Sequence, residues 1–204
     1  MSQSSIKVWD PMIRIFHWSL VVFFTTAFLT GDEESILHAY AGYMVIGLVH
    51  FRILWGIVGT KHARFNDFIY RQSKVIQYLK DLARGTPRHY VGHNPAGGYM
   101  VILLLATLLL VTFSGLKTYG IEGNGPLAVN TEISVISSTK AAAEDVESDG
   151  ASREGESFWE DIHKASSNFM LALIALHILG IVIASRLHKE NLIKAMITGK
   201  KKVD

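Results

Sequence analysis

The chain has no cysteine. Covalent haem attachment through Cys-x-x-Cys-His, cysteine-ligated iron–sulfur clusters, disulfides and thiol catalysis are all excluded by that one absence. Lysine and arginine are missing from the first acidic connection, Asp32-Glu33-Glu34, and no ionisable residue interrupts Met100 to Phe113. No aromatic residue occurs between Ser137 and Glu156. The N-terminus is short and polar, and no small-residue cleavage pattern follows the first apolar block, so a cleavable signal peptide is not expected.

The chain is rich in apolar residues, 49% of 204, and these gather in four blocks. Ile13 to Thr30, Ile36 to Val58, Gly97 to Leu116 and Ile162 to Ser185 are each about long enough to cross a hydrocarbon core, which takes ~20 residues. Four transmembrane helices are expected over about 11–30, 36–58, 96–116 and 158–185. Asp10-Pro11 and Asn94-Pro95 supply caps for the first and third, and Ser157-x-x-Glu160 is a capping box for the fourth.

Charge then orients the helices. Lys61, Arg64, Arg71, Lys74, Lys80, Arg84 and Arg88 lie between the second and third blocks, and Arg186, Lys189, Lys194, Lys200, Lys201 and Lys202 follow the fourth. These are cytoplasmic sides. The expected fold is therefore all-α: an integral membrane four-helix bundle with up-down topology, both termini cytoplasmic and one domain over 1–204. The basic connection carries an amphipathic helix over about 67–84, read as lying on membrane lipids or docking a soluble partner. The third connection, about 118–156, is an acidic outer loop whose middle is mobile. A net charge of +2 conceals this split, and no nucleic-acid partner is expected.

Histidines carry the candidate chemistry. His163 and His177 are fourteen residues apart, which places them about 40° short of four full turns and ~21 Å apart along a helix axis. They share a face at two depths. Intramembrane ionisable groups are functional candidates, and a neutral imidazole is a ready iron ligand. In an up-down bundle His38 matches the outer depth of His163, while His17 and His50 both lie at the inner depth of His177. Two bis-histidine sites stacked across the membrane result, with His17 or His50 completing the inner one.

Arg52 shares the face of His38, where it could hold a carboxylate such as a haem propionate or snorkel beside Trp55. Gly42 and Gly47 leave room on that helix for a flat ring or a close neighbour. Arg14, Lys7 and the basic inner loop are candidates for propionate or quinone contacts, or for positive-inside anchoring. His62, His89, His93 and His188 are read as surface residues.

Val8-Trp9-Asp10-Pro11 with Arg14 and His17-Trp18, then Leu37-His38 with Gly42, Arg52 and Trp55-Gly56, resemble the bacterial cytochrome b561 superfamily. His62-Ala63-Arg64-Phe65, Gly92-His93-Asn94-Pro95-Ala96-Gly97, the fourth-helix pair and Glu190-Asn191-Leu192 extend the resemblance, which is greatest to the b-type cytochrome subunits of nickel–iron hydrogenases. It implies two non-covalent haem b groups in the bacterial cytoplasmic (inner) membrane, ligated by His17 with His177 and by His38 with His163. It implies quinone as substrate and a periplasmic c-type cytochrome or hydrogenase as partner; homo-oligomerisation stays open. Two other readings are carried: a superoxide- or small-molecule-linked quinone oxidoreductase, and a haem-free transporter component or membrane anchor.

Overall fold

A computed structural model describes residues 4–31, 35–128 and 145–203. Its helices are α1 (Pro11–Leu29), α2 (Ile36–Val58), α3 (Phe65–Phe68), α4 (Gln72–Ala83), α5 (Pro95–Ile121), α6 (Asp145–Leu187) and α7 (Leu192–Thr198). Strands β1 (Ser4–Lys7) and β2 (Lys200–Val203) complete the described elements, together with a single 3-10 turn at Lys61–Ala63.

The caps follow the local chemistry of the sequence. The Asp10 carboxylate accepts from the amide of Ile13 at 2.9 Å, with Pro11 at the first helical position, where a missing N–H costs nothing. Ser35 caps α2, and Asn94 caps α5 by accepting from the Gly97 amide at 2.7 Å. Four helical stretches are long and apolar enough to cross a membrane: Pro11–Leu29, Ile36–Val58, Pro95–Ile121 and Ser157–Leu187. Their apolar side chains largely face outward, with Leu29 74% and Val58 75% exposed, the inverse of a water-soluble helix.

Four features depart from the sequence-based expectation. First, the all-helical fold carries one small addition: β1 and β2 form an antiparallel ribbon pairing Ser4 with Val203 and Lys7 with Lys200. Each strand is too short and polar to announce itself, and its partner lies at the opposite end of the chain. The amides of Val8 and Trp9 also donate to the Gly199 carbonyl. Both ends of the chain are thus tied together.

Second, the amphipathic stretch 67–84 is two helices rather than one. An extended link after Phe68 lets that ring be buried (1% exposed), and the Tyr70 carbonyl accepts from the Tyr99 hydroxyl at 3.0 Å instead of a helical amide. Ile76 and Leu79 on α4 face outward among basic residues.

Third, α5 continues through Ile121 into the expected outer loop, because nothing breaks it before Gly123. That glycine adopts φ +81°, and the Asn124 amide closes the end on the Tyr119 carbonyl at 3.0 Å. Fourth, α6 begins at Asp145, not at the Ser157 capping box, so Ser157 is an interior helical residue. Alanine, glutamate and arginine in 145–156 favour helix while Gly150 and Gly155 oppose it, and acidic residues suit a helix N-terminus. The rest of the expected mobile loop, 129–144, lies outside the described residues.

Contacts divide the chain into two compact units, Met1–Ala106 with Leu171–Asp204, and Thr107–Met170. In the first, Val45 and Val49 of α2 are buried, as are Ile13 and Phe16 of α1. Within the second, Leu108, Val111 and Ser114 of α5 are buried, as is Met170 of α6.

Candidate functional site

In the larger unit, His17 on α1 and His177 on α6 are half-buried and close enough to interact electrostatically. Nδ1 of His17 is buried without a partner. Arg14, one turn earlier, gives Nη2 to the Ile197 carbonyl while its Nε is likewise buried and unpartnered. Buried polar atoms are nearly always satisfied. Orphans on neighbouring basic groups therefore suggest that an acceptor-bearing ligand belongs beside them.

Arg52 is the sharpest case. It is 3% exposed, with its guanidinium carbon 4.9 Å from the Phe65 ring centroid and 5.9 Å from that of Phe68. Its Nη1 is buried with no partner. This is not the snorkelling arginine that the sequence also allowed: it is held inside by cation–π stacking and retains an unused donor. Asp10, the carboxylate in its electrostatic range, is already occupied by Ile13, Trp55 and Thr60. Burial pushes Asp10 up, but the hydrogen bonds from Thr60, Ile13, Trp55 and Met12 outweigh it and hold the carboxyl below its ordinary range.

His93 was read from the sequence as a surface residue, and the structure corrects this. Its ring centroid lies 4.6 Å from those of Trp9 and Phe68, and its Nδ1 is buried without a partner. Burial, then the positive charges of Arg52 and Lys201, push its pKa down to about 3. It is therefore a neutral imidazole at physiological pH. The clue available in the sequence was the Gly-His-Asn-Pro run itself, but only folding brings Trp9 and Phe68 against the imidazole.

The other histidines of the connection between α2 and α5 have hydrogen-bond partners. His62 pairs through Nδ1 with Asp67 at 2.8 Å, and His89 pairs with Glu190 at 2.7 Å. Glu190 also binds Lys201 at 3.2 Å, and Lys201 donates to the Tyr90 carbonyl at 3.0 Å. These bonds secure the end of the chain.

The two histidines expected at the outer depth share one feature. His38 places Nδ1 2.8 Å from the Ala27 carbonyl of α1. Within the smaller unit, His163 places Nδ1 2.9 Å from the Val111 carbonyl of α5 and 3.3 Å from the Ser114 hydroxyl. A carbonyl can only accept, so each Nδ1 carries the proton and Nε2 becomes the nitrogen suited to a metal. His50, the competitor for the inner site, is exposed on α2 and bonds through Nδ1 to the Ile46 carbonyl of its own helix. A Cβ at Gly42 or Gly47 of α2 would meet nothing within 4 Å, and Gly47 lies on the exposed side of that helix. Among the described residues no three histidine or carboxylate side chains converge to cage a bare ion.

Comparison with known proteins agrees in extent and in kind. Residues 8–199 match the family model for prokaryotic cytochrome b561. A probable Ni/Fe-hydrogenase B-type cytochrome subunit of Rhizobium leguminosarum bv. viciae is 26% identical over 153 residues, covering 61% of this chain and 64% of that protein. The similarly described protein of Azotobacter vinelandii is 27% identical over 154 residues, covering 60% and 62%. The chain thus spans somewhat under two thirds of the length of these relatives. No solved structure matches it significantly.

Proposed function

The chain belongs to the prokaryotic cytochrome b561 family, and from that premise we propose that it carries electrons across the membrane between quinone and a redox protein on the outer side. Membership makes it a multi-pass protein of the bacterial inner membrane with a b561-type electron-transfer role. The proposal adds two haem b groups per chain, an up-down bundle and cytoplasmic termini. A hydrogenase or a c-type cytochrome is the proposed partner, since the relatives are described as hydrogenase subunits.

The residues present fit haem b. When bound, haem b would supply reversible one-electron exchange at its iron, with neutral imidazoles of this chain as the protein ligands. His17 with His177 would hold the inner group and His38 with His163 the outer one, the pairing that the family resemblance implies and that sequence depth allows. The observation that carries the reading is Arg52. A buried guanidinium with an unpartnered Nη1 suits a propionate, because a charged donor is tolerated in an apolar setting when it meets a carboxylate. Arg14 offers a second buried donor on α1. The tie between β1 and β2 supports placing both termini on one side, and the Lys and Arg excess of the loops makes that side cytoplasmic.

The test is the dithionite-reduced minus oxidised spectrum of the purified protein, with a pyridine haemochrome assay for stoichiometry. Two low-spin haem b per chain are expected. Absence of haem from a folded preparation supplied with haem would overturn the proposal.

A further inference from the structure

One turn of α5 is shaped around the imidazole of His163. Gly115 faces that ring so closely that a Cβ there would lie 2.8 Å from Cε1, 3.0 Å from Nδ1 and 3.5 Å from Nε2. The first two separations are too short for the ring to stay where it is, whereas the third is ordinary contact. The missing side chain lets the imidazole lie against the helix backbone, where Nδ1 reaches the Val111 carbonyl at 2.9 Å. In an unmodified helix that carbonyl would serve the amide of Gly115 alone.

Ser114 completes the arrangement. It is fully buried, and its hydroxyl lies 2.8 Å from the Leu110 carbonyl and 3.1 Å from that of Val111, with Oγ 3.3 Å from Nδ1 of His163. By donating to a carbonyl, the hydroxyl turns lone-pair density toward the imidazole N–H. The ring proton therefore meets two acceptors, both on α5. His38 shows the same choice of acceptor, with Nδ1 on the Ala27 carbonyl, whereas Nδ1 of His17 is buried without one.

We propose that Val111, Ser114 and Gly115 form a positioning seat for His163, fixing its Nδ1–H tautomer and strengthening Nε2 as an electron donor to the iron of the outer haem. The proposal rests on the haem reading above. A hydrogen-bonded Nδ1–H makes imidazole more basic, which favours ferric iron and lowers the potential. The seat thus sets where the outer haem stands on the redox scale, and none of its three residues is itself a ligand.

The experiment is a potentiometric titration of the haem-loaded protein and its Gly115→Ala variant. The outer haem is first assigned as the one lost in His163→Ala. Gly115→Ala should weaken retention of that haem by about 10-fold or more. The haem that remains there should shift by about tenfold in its reduced-to-oxidised ratio, ~59 mV more positive for one electron. The second haem should not move. Unchanged affinity and potential at the His163-dependent haem would overturn the seat.

Should Gly115→Ala fail to fold, Ser114→Ala takes its place. It should keep both haems bound and alter the electron paramagnetic resonance signature and potential of the His163-dependent haem alone; no change there would equally overturn the proposal. Imidazole nitrogen NMR of the haem-free protein separates this proposal from the haem reading. A Nδ1-protonated His163 in the native sequence that loses this preference in either variant supports the seat even in a protein that bound no haem. A native His163 protonated at Nε2 overturns it.

Discussion

The guanidinium of Arg52 stacks on the ring of Phe65 at 4.9 Å, from a separate short helix, and leaves Nη1 buried without a partner. Stacking offsets part of the cost of desolvating the cation but provides no acceptor for that N–H. Such a group is poised for an anion. In the haem-free protein, replacing Arg52 by leucine should be neutral or stabilising, because it removes an uncompensated buried donor. In the haem-loaded protein the same change should reduce retention of one haem by about 10-fold. Thermal unfolding in detergent, with and without haem, reads both effects; equal destabilisation of the two forms would show that Arg52 serves packing alone.

His50 and His163 separate the ligand assignment from its competitor. His50 is exposed and bonded within its own helix, so His50→Leu should leave two haems per chain by pyridine haemochrome. His163→Ala should leave one. Loss of a haem from the first variant would move the inner ligand to α2.

The neutral imidazole of His93 makes a prediction about acid stability. Its folded pKa is pushed down to about 3, by burial first and then by Arg52, Lys201, His177 and His62, from an ordinary value of 6.5. The unfolded chain therefore takes up the proton first, and stability present above pH 6.5 is lost as pH falls toward 3. His93→Phe should flatten that limb of the stability–pH curve. Detergent-solubilised thermal melts between those pH values measure it, and an identical slope in the variant would exclude His93 as the source.

Lys201 holds the chain end through Glu190 and the Tyr90 carbonyl. Lys201→Met should remove the donor to the Tyr90 carbonyl and leave Glu190 with His89 as its partner, at a cost of about 1–3 kcal/mol to local stability. The β1–β2 ribbon should then show faster amide exchange, while the membrane helices remain protected. Unaltered exchange over residues 4–7 would mean that the backbone ladder alone closes the ribbon.

Apolar run length located the four long helices from the sequence alone, and capping residues located the starts of two of them. Hydrocarbon requires a run of ~20 apolar residues, and Asp10-Pro11 and Asn94-Pro95 mark where two of those runs begin. The motifs carried the family, and fourteen-residue spacing put His163 and His177 on one face. Tertiary structure decided what depends on meetings between distant residues. Neither terminal segment looks like a strand until the other lies beside it. A histidine in a polar loop becomes half-buried, with Nδ1 out of reach of solvent, only when Trp9 and Phe68 converge on it, and Arg52 ceases to be a snorkelling anchor only when Phe65 covers it. The choice of proton-bearing nitrogen on His163 was beyond any pattern in the sequence, because a carbonyl on another helix fixes it and a missing Cβ gives the ring access to that carbonyl.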